Sequence, residues 1–110
     1  MILHITLRLY ESEAVSLRGY LIGKLQDIEK LNGYAHDGDF VLCEWLTEKY
    51  GAKVAGIERR KPKTPQKVTM PVSVARILWK SWQQEVIPTT LNNVLGGIDG
   101  QLKNVNLYPR

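Results

Sequence analysis

Nine consecutive residues concentrate the chemistry of this chain. Arg59-Arg60-Lys61-Pro62-Lys63-Thr64-Pro65-Gln66-Lys67 carries five cationic side chains, two prolines and no acid. Pro62 and Pro65 restrict the backbone, which holds the cations out from the surface. Lys and Arg at that density suit phosphates, because each contact releases condensed counterions and adds salt-dependent affinity. Thr64 and Gln66 supply neutral hydrogen-bonding groups of the kind that reach phosphate oxygens or base edges. Downstream, Arg76 and Lys80 extend the cationic set, and Trp79 offers a ring on which a base could stack. Trp79 and Trp82 are also candidate apolar anchors for a protein partner. Without any partner, the same segment reads as a lysine-rich hairpin tip that keeps a sheet edge soluble.

Other residues offer less. His4 and His36 are the two histidines, and neither stands in a Ser/His or Cys/His pattern that would activate a nucleophile. The single cysteine, Cys43, excludes an internal disulfide and reads as a buried, inert thiol. His36, Asp37 and Asp39 lie within four residues, but a hard-cation loop needs more oxygen ligands at defined spacing. Gly96-Gly97-Ile98-Asp99-Gly100 lacks the lysine of a phosphate-binding loop and follows no strand. These patterns assign no catalytic residue, no metal ligand and no cofactor, so the expectation is a binding protein rather than an enzyme.

Charge is unevenly divided. The net charge is +4, yet residues 1–58 hold six Lys/Arg against nine Asp/Glu, and residues 59–110 hold nine against two. A net of −3 followed by a net of +7 points to an anionic partner, or to complementary faces on two copies of the molecule. Without residues 59–67 the net charge would be −1. No apolar run reaches the ~18 residues of a membrane span, and the first residues do not read as a signal peptide. A cytoplasmic protein is the default expectation.

The elements that must hold these residues follow from periodicity. Residues 2–9 alternate, with Leu3, Ile5, Leu7 and Leu9 on one face and His4, Thr6 and Arg8 on the other, as in a half-buried strand. Ser12 is a candidate cap for a helix near 12–31, whose apolar stripe includes Ala14, Leu17, Leu21 and Leu25. Gly19 and Gly23 near that stripe would admit a close backbone approach. A second helix is expected near 39–50, closed by Gly51. Residues 53–58 alternate weakly and read as a strand pairing with 67–72, which makes 59–67 the tip of a β-hairpin. Ser73 would cap a helix near 73–87. A glycine-weakened helix would run near 89–103, and 104–110 reads as a flexible tail.

The expected order of helix, helix, strand, basic proline-containing arm, strand and helix resembles that of the HU/IHF-type DNA-bending proteins, and Glu58 to Pro71 is the part whose residues themselves carry the resemblance. The resemblance implies that Pro65 at an arm tip would wedge between base steps. The sequence departs from that pattern in having a strand before the first helix, a short arm, and no Arg-Asn-Pro tip with its glycines.

The expected fold is therefore α+β: one domain over 1–110, with a small antiparallel sheet of two or three strands packed against three or four helices. The expected function is a non-catalytic accessory protein that grips the DNA or RNA phosphate backbone with Arg59, Arg60, Lys61, Lys63, Lys67, Arg76 and Lys80. The alternative is a protein-interaction module or homodimer whose basic loop meets an acidic protein surface.

Overall fold

The computed structural model describes residues 4–30, 37–83 and 86–105. It is a small α+β fold in which a two-stranded antiparallel sheet packs on helices. Strand β1 (His4–Leu9) buries Ile5, Leu7 and Leu9 and turns His4 and Arg8 to solvent, as its alternation requires. Helix α1 (Glu11–Lys30) follows at once. Its cap is not Ser12. The backbone N–H of Tyr10 donates to Glu13 Oε1 at 2.9 Å, and the Tyr10 carbonyl accepts the first helical bond from Ala14 at 2.9 Å. Glu13 therefore supplies one half of a capping box. Ala14, Leu17 and Leu21 are buried along one stripe, while Gly19 and Gly23 have open space where a side chain would stand, so neither mediates a close crossing among the described residues.

Residues 53–58 are helical, which overturns the expected third strand and the hairpin with it. Helix α2 (Asp37–Trp45) continues through a π-helical turn (Leu46–Tyr50) into helix α3 (Gly51–Arg60). Gly51 does not end the helix. Its φ of −57° is helical, and its N–H reaches five residues back to the Leu46 carbonyl. A Cβ at Gly51 would lie 3.1 Å from that oxygen, a tight contact that glycine avoids. Buried Leu46, Tyr50, Val54 and Ile57 then continue at four-, four- and three-residue spacing, which is helical. The strand–arm–strand order of the HU/IHF-type proteins is consequently absent, and Pro65 stands at no hairpin tip.

Helix α3 ends at Lys61, whose φ of 46° and ψ of 56° are left-handed, with its N–H on the Ile57 carbonyl at 2.9 Å. After a connection through 62–65, strand β2 (Gln66–Pro71) pairs with β1 in the register Ile5↔Met70, Leu7↔Val68 and Leu9↔Gln66 on one face. Helix α4 (Val72–Trp82) starts directly after Pro71. Ser73 lies inside it and does not cap it. Val74, Ala75, Leu78 and Trp82 are buried. The Pro88 carbonyl accepts N–H bonds from Leu91 and Asn92 to open helix α5 (Thr89–Val105), which buries Leu91, Val94, Ile98 and Leu102. Residues 104 and 105 thus belong to α5. The helix expected over 73–87 stops earlier, at Trp82, with Gln83 in a turn and 86–88 not helical, while Gln84, Glu85, the expected tail beyond 105 and the loop with His36 lie outside the described residues.

Two clamps hold these layers. The Tyr50 hydroxyl donates to the Ala14 carbonyl at 2.7 Å, fixing the π turn to α1. Gly97 brings α5 against β1: a Cβ there would stand 3.2 Å from Leu7 Cδ2, whereas a Cβ at neighbouring Gly96 meets nothing within 4 Å. Helical glycine is less favourable than alanine by about 1 kcal/mol. Gly96→Ala should therefore raise stability by about that amount. Gly97→Val should lower it by roughly 1–3 kcal/mol through overpacking. Urea unfolding of the two variants is expected to move the midpoint in opposite directions.

Burial pushes the Tyr50 phenol above its ordinary range, and the nearby Arg18 opposes that only partly. The unfolded chain ionises this tyrosine above about pH 10 while the folded protein does not, so its contribution is complete below that pH and is lost as pH rises. Tyr50→Phe should cost about 1 kcal/mol near neutral pH through the lost hydrogen bond. Its deficit should shrink by up to about 1.4 kcal/mol per pH unit above pH 10. Unfolding curves of both proteins from pH 7 to 11 check this.

Candidate anion-binding face

The outward face of the sheet follows from the same register. Its rungs are His4↔Pro71, Thr6↔Thr69 and Arg8↔Lys67. His4, Arg8, Lys67 and Thr69 are exposed, and Thr6 is half-buried. This face therefore presents two cations, two hydroxyls and an imidazole, with no carboxylate among the rungs. Arg8 and Lys67 are directly opposed like charges, an arrangement that destabilises a strand pair.

Beside this face lies a cleft of about 540 Å³ between β2 and the helical segment that contains the π turn. His4, Lys67, Val68, Thr69 and Pro71 line it from the sheet, and Trp45, Lys49, Tyr50 and Lys53 line it from the helix. Three lysines and a histidine thus share one concavity into which no described Asp or Glu projects. The π turn builds its wall. Trp45 and Tyr50 stand five residues apart, and the widened turn stacks their rings at 4.4 Å between centroids and 21° between planes. Lys49 and Lys53, four apart, are exposed at its rim. β2 has no second neighbour among the described residues, so alternate backbone groups on its far edge remain unpaired there.

The basic stretch is divided by the fold. Arg59 and Arg60 occupy the last turn of α3, where cations complement the helix dipole. Arg59 lines a separate shallow depression with Ala52, Ala55 and Glu58. Arg60 Nε donates to the Gly56 carbonyl at 3.3 Å. Lys61 and Lys63 are exposed in the connection, where Gln66 Nε2 donates to the Thr64 carbonyl at 3.0 Å. Of the nine residues, Lys67 alone lines the cleft beyond α3. Arg76 and Lys80 are exposed on α4 and line neither depression.

Neither tryptophan proposed for stacking is presented to a ligand in this way. Trp82 is 3 % exposed and meets Tyr20 edge-to-face at 5.5 Å, which makes it a core residue and corrects its assignment as an interface anchor. Trp79 is half-buried, and its Nε1 donates to Asp99 Oδ1 at 3.0 Å, tying α4 to α5. Cys43 is buried. Glu58, the acid nearest the end of α3, is bound by Arg18 of α1. The Arg18 hydrogen bond is the main cause that holds its carboxyl below the usual range.

Sequence reasoning missed Arg8, Lys49, Lys53 and Trp45. The pairing Arg8↔Lys67 follows once residues 2–9 and 67–72 are placed antiparallel. Lys49 and Lys53 fall on one helix face only when the helix is carried through Gly51. No protein-family model matches the chain, and neither a curated protein nor a solved structure gives a significant match.

Exchanging one charge of the opposed pair separates its cost from its use. Lys67→Glu should raise stability by about 0.5–1 kcal/mol, by turning a like-charge rung into an attractive one. Chemical denaturation at low ionic strength is the measurement, and the gain should decline as salt screens the pair.

Proposed function

We propose that the protein binds nucleic acid without catalysis, gripping the phosphate backbone with the outward face of its sheet and the adjoining cleft. The observation that carries this reading is the rung Arg8↔Lys67 beside Lys49 and Lys53. Three lysines line one cleft whose described lining holds no carboxylate, Arg8 opposes Lys67 on the adjoining sheet face, and an anion placed there sets attractions against the repulsion of that rung. Arg60, Lys61 and Lys63 lead from the end of α3 toward this face and extend the cationic surface along the chain. Arg59, Arg76 and Lys80 stand apart and add to the general attraction for a polyanion. Contacts of this kind position a backbone and carry no sequence information, so binding is sequence-tolerant.

The test is fluorescence anisotropy with random-sequence oligonucleotides, single-stranded and duplex, at two salt concentrations. Binding is expected in the micromolar range at about 50 mM salt, as for other non-specific binders. With about four phosphate contacts it should weaken roughly a hundredfold by 200 mM. Lys67→Glu should lose about tenfold or more, although the variant is the more stable protein. No binding at about 50 mM salt, with protein in the tens of micromolar, overturns the reading.

The unpaired edge of β2 favours a second reading, in which that edge pairs with a strand of another copy. Lys67 and Pro71 work against it, because a cation and a missing N–H both blunt an edge. A dimer in sedimentation that persists at high salt would support this reading.

A further inference from the structure

The cleft differs in kind from the open sheet face. The face can lie along a backbone, but the cleft is concave, and its volume of about 540 Å³ falls in the range of sites that enclose a small molecule. Its wall is apolar: Pro71 is half-buried, and beside it Val68 and the Trp45–Tyr50 stack are core residues, Trp45 5 % and Tyr50 1 % exposed, so only their margins reach the cleft. Its rim is cationic, formed by Lys49, Lys53 and Lys67. An apolar wall beneath a ring of cations matches a molecule with a flat, weakly polar part joined to a phosphate.

The local construction points the same way. A π turn is a rare departure from the α-helix that recurs at functional sites. Here it does two things: it stacks the two rings, and it brings Lys49 and Lys53 to the same opening. Tyr50 is tied by its hydroxyl to Ala14, so the wall is held rigid before any ligand arrives. A preformed wall reduces the ordering cost of binding.

We infer that the cleft seats one unpaired nucleotide, with its base against Pro71 and the accessible margin of Trp45 and its phosphate among Lys49, Lys53 and Lys67. This rests on the nucleic-acid reading and sharpens it. A duplex keeps its bases stacked and offers only a convex row of phosphates, whereas a single strand has free base faces to place in a concavity. The protein therefore discriminates single strands from duplex. The same chemistry belongs to a free nucleoside monophosphate, which occupies the cleft as a weak competitor.

Anisotropy titrations at about 50 mM salt with a labelled 12-nucleotide single strand and the matching duplex test this, using wild type, Lys49→Ala/Lys53→Ala and Arg59→Ala/Arg76→Ala. All four positions are exposed, and thermal melts establish that both double variants remain folded. Wild type should bind the single strand about tenfold or more tightly than the duplex, as expected of base-stacking contacts. The Lys49/Lys53 variant should lose that preference, while the Arg59/Arg76 variant should weaken both forms equally and keep it. Millimolar adenosine monophosphate should displace the single strand from wild type; inorganic phosphate at the same concentration should not. Equal affinity for both forms, or a preference that survives in the Lys49/Lys53 variant, overturns this inference and leaves the backbone-binding reading standing. Displacement by phosphate as effective as that by the nucleotide overturns the seating of the base. Failure of both forms to bind overturns both readings.

Discussion

The fold and its cationic face both depend on the helix being carried through residues 46–51. A helix that stopped at Tyr50 would leave Val54 and Ile57 without a common face and would free 53–58 to seek a strand partner. Instead the Gly51 N–H closes on the Leu46 carbonyl, and the Tyr50 hydroxyl closes on the Ala14 carbonyl. The Tyr50 bond is made in a buried environment, where an unpaired polar group costs about 1–3 kcal/mol. The turn is therefore favoured by what surrounds it, although π geometry is poor in isolation. Its consequence is positional. Trp45 and Tyr50 come into register as a stacked wall, and Lys49 and Lys53 emerge beside a strand more than ten residues further along the chain.

The sheet supplies the complementary constraint. Two strands alone are marginal in water and persist only when one face is covered. Here Ile5, Leu7, Leu9, Val68 and Met70 are all buried, with α5 resting on Leu7 at Gly97. Register is thereby determined, because a slip of one residue would turn this apolar set to solvent. Once the inner face is settled, the outer face has no freedom left. Arg8 must oppose Lys67 and Thr6 must oppose Thr69. The like-charge rung is thus a direct consequence of a register chosen by apolar burial.

Much of this was legible in the sequence. Period-two alternation identified the strand that runs over His4–Leu9, extended propensity identified most of β2, and three-and-four spacing identified α1, α4 and α5, because in each case the signal lies within a single element. The exceptions share a cause. Gly51 after Tyr50 looks like a helix stop, and only the fold places the Leu46 oxygen where a side chain at 51 would crowd it. Lys-Val-Ala-Gly-Ile-Glu then reads as a strand because Val54 and Ile57 are too few to establish a period without Leu46 and Tyr50. Trp82 looked like a partner's anchor because its burial depends on Tyr20, 62 residues away. The basic stretch was visible as composition, but its division between the end of α3, a connection and an edge strand was not, since composition carries no direction.

The charge distribution gains a physical rationale from these placements. Glu58 stands next to Arg59, yet Arg18 holds it, so the end of α3 faces solvent with cations in excess. At the sheet, two unit charges about 6 Å apart in water repel by roughly 0.7 kcal/mol, less than burial of one apolar side chain contributes. The strand pair therefore tolerates Arg8 and Lys67 without losing register. An anion between them sets two attractions of similar size against the one repulsion, and Lys49 and Lys53 across the cleft add theirs at longer range. The sum grows with each further phosphate along a polyanion, whereas a single small anion can use the arrangement only once. A face built in this way gains most from a ligand that repeats its charge.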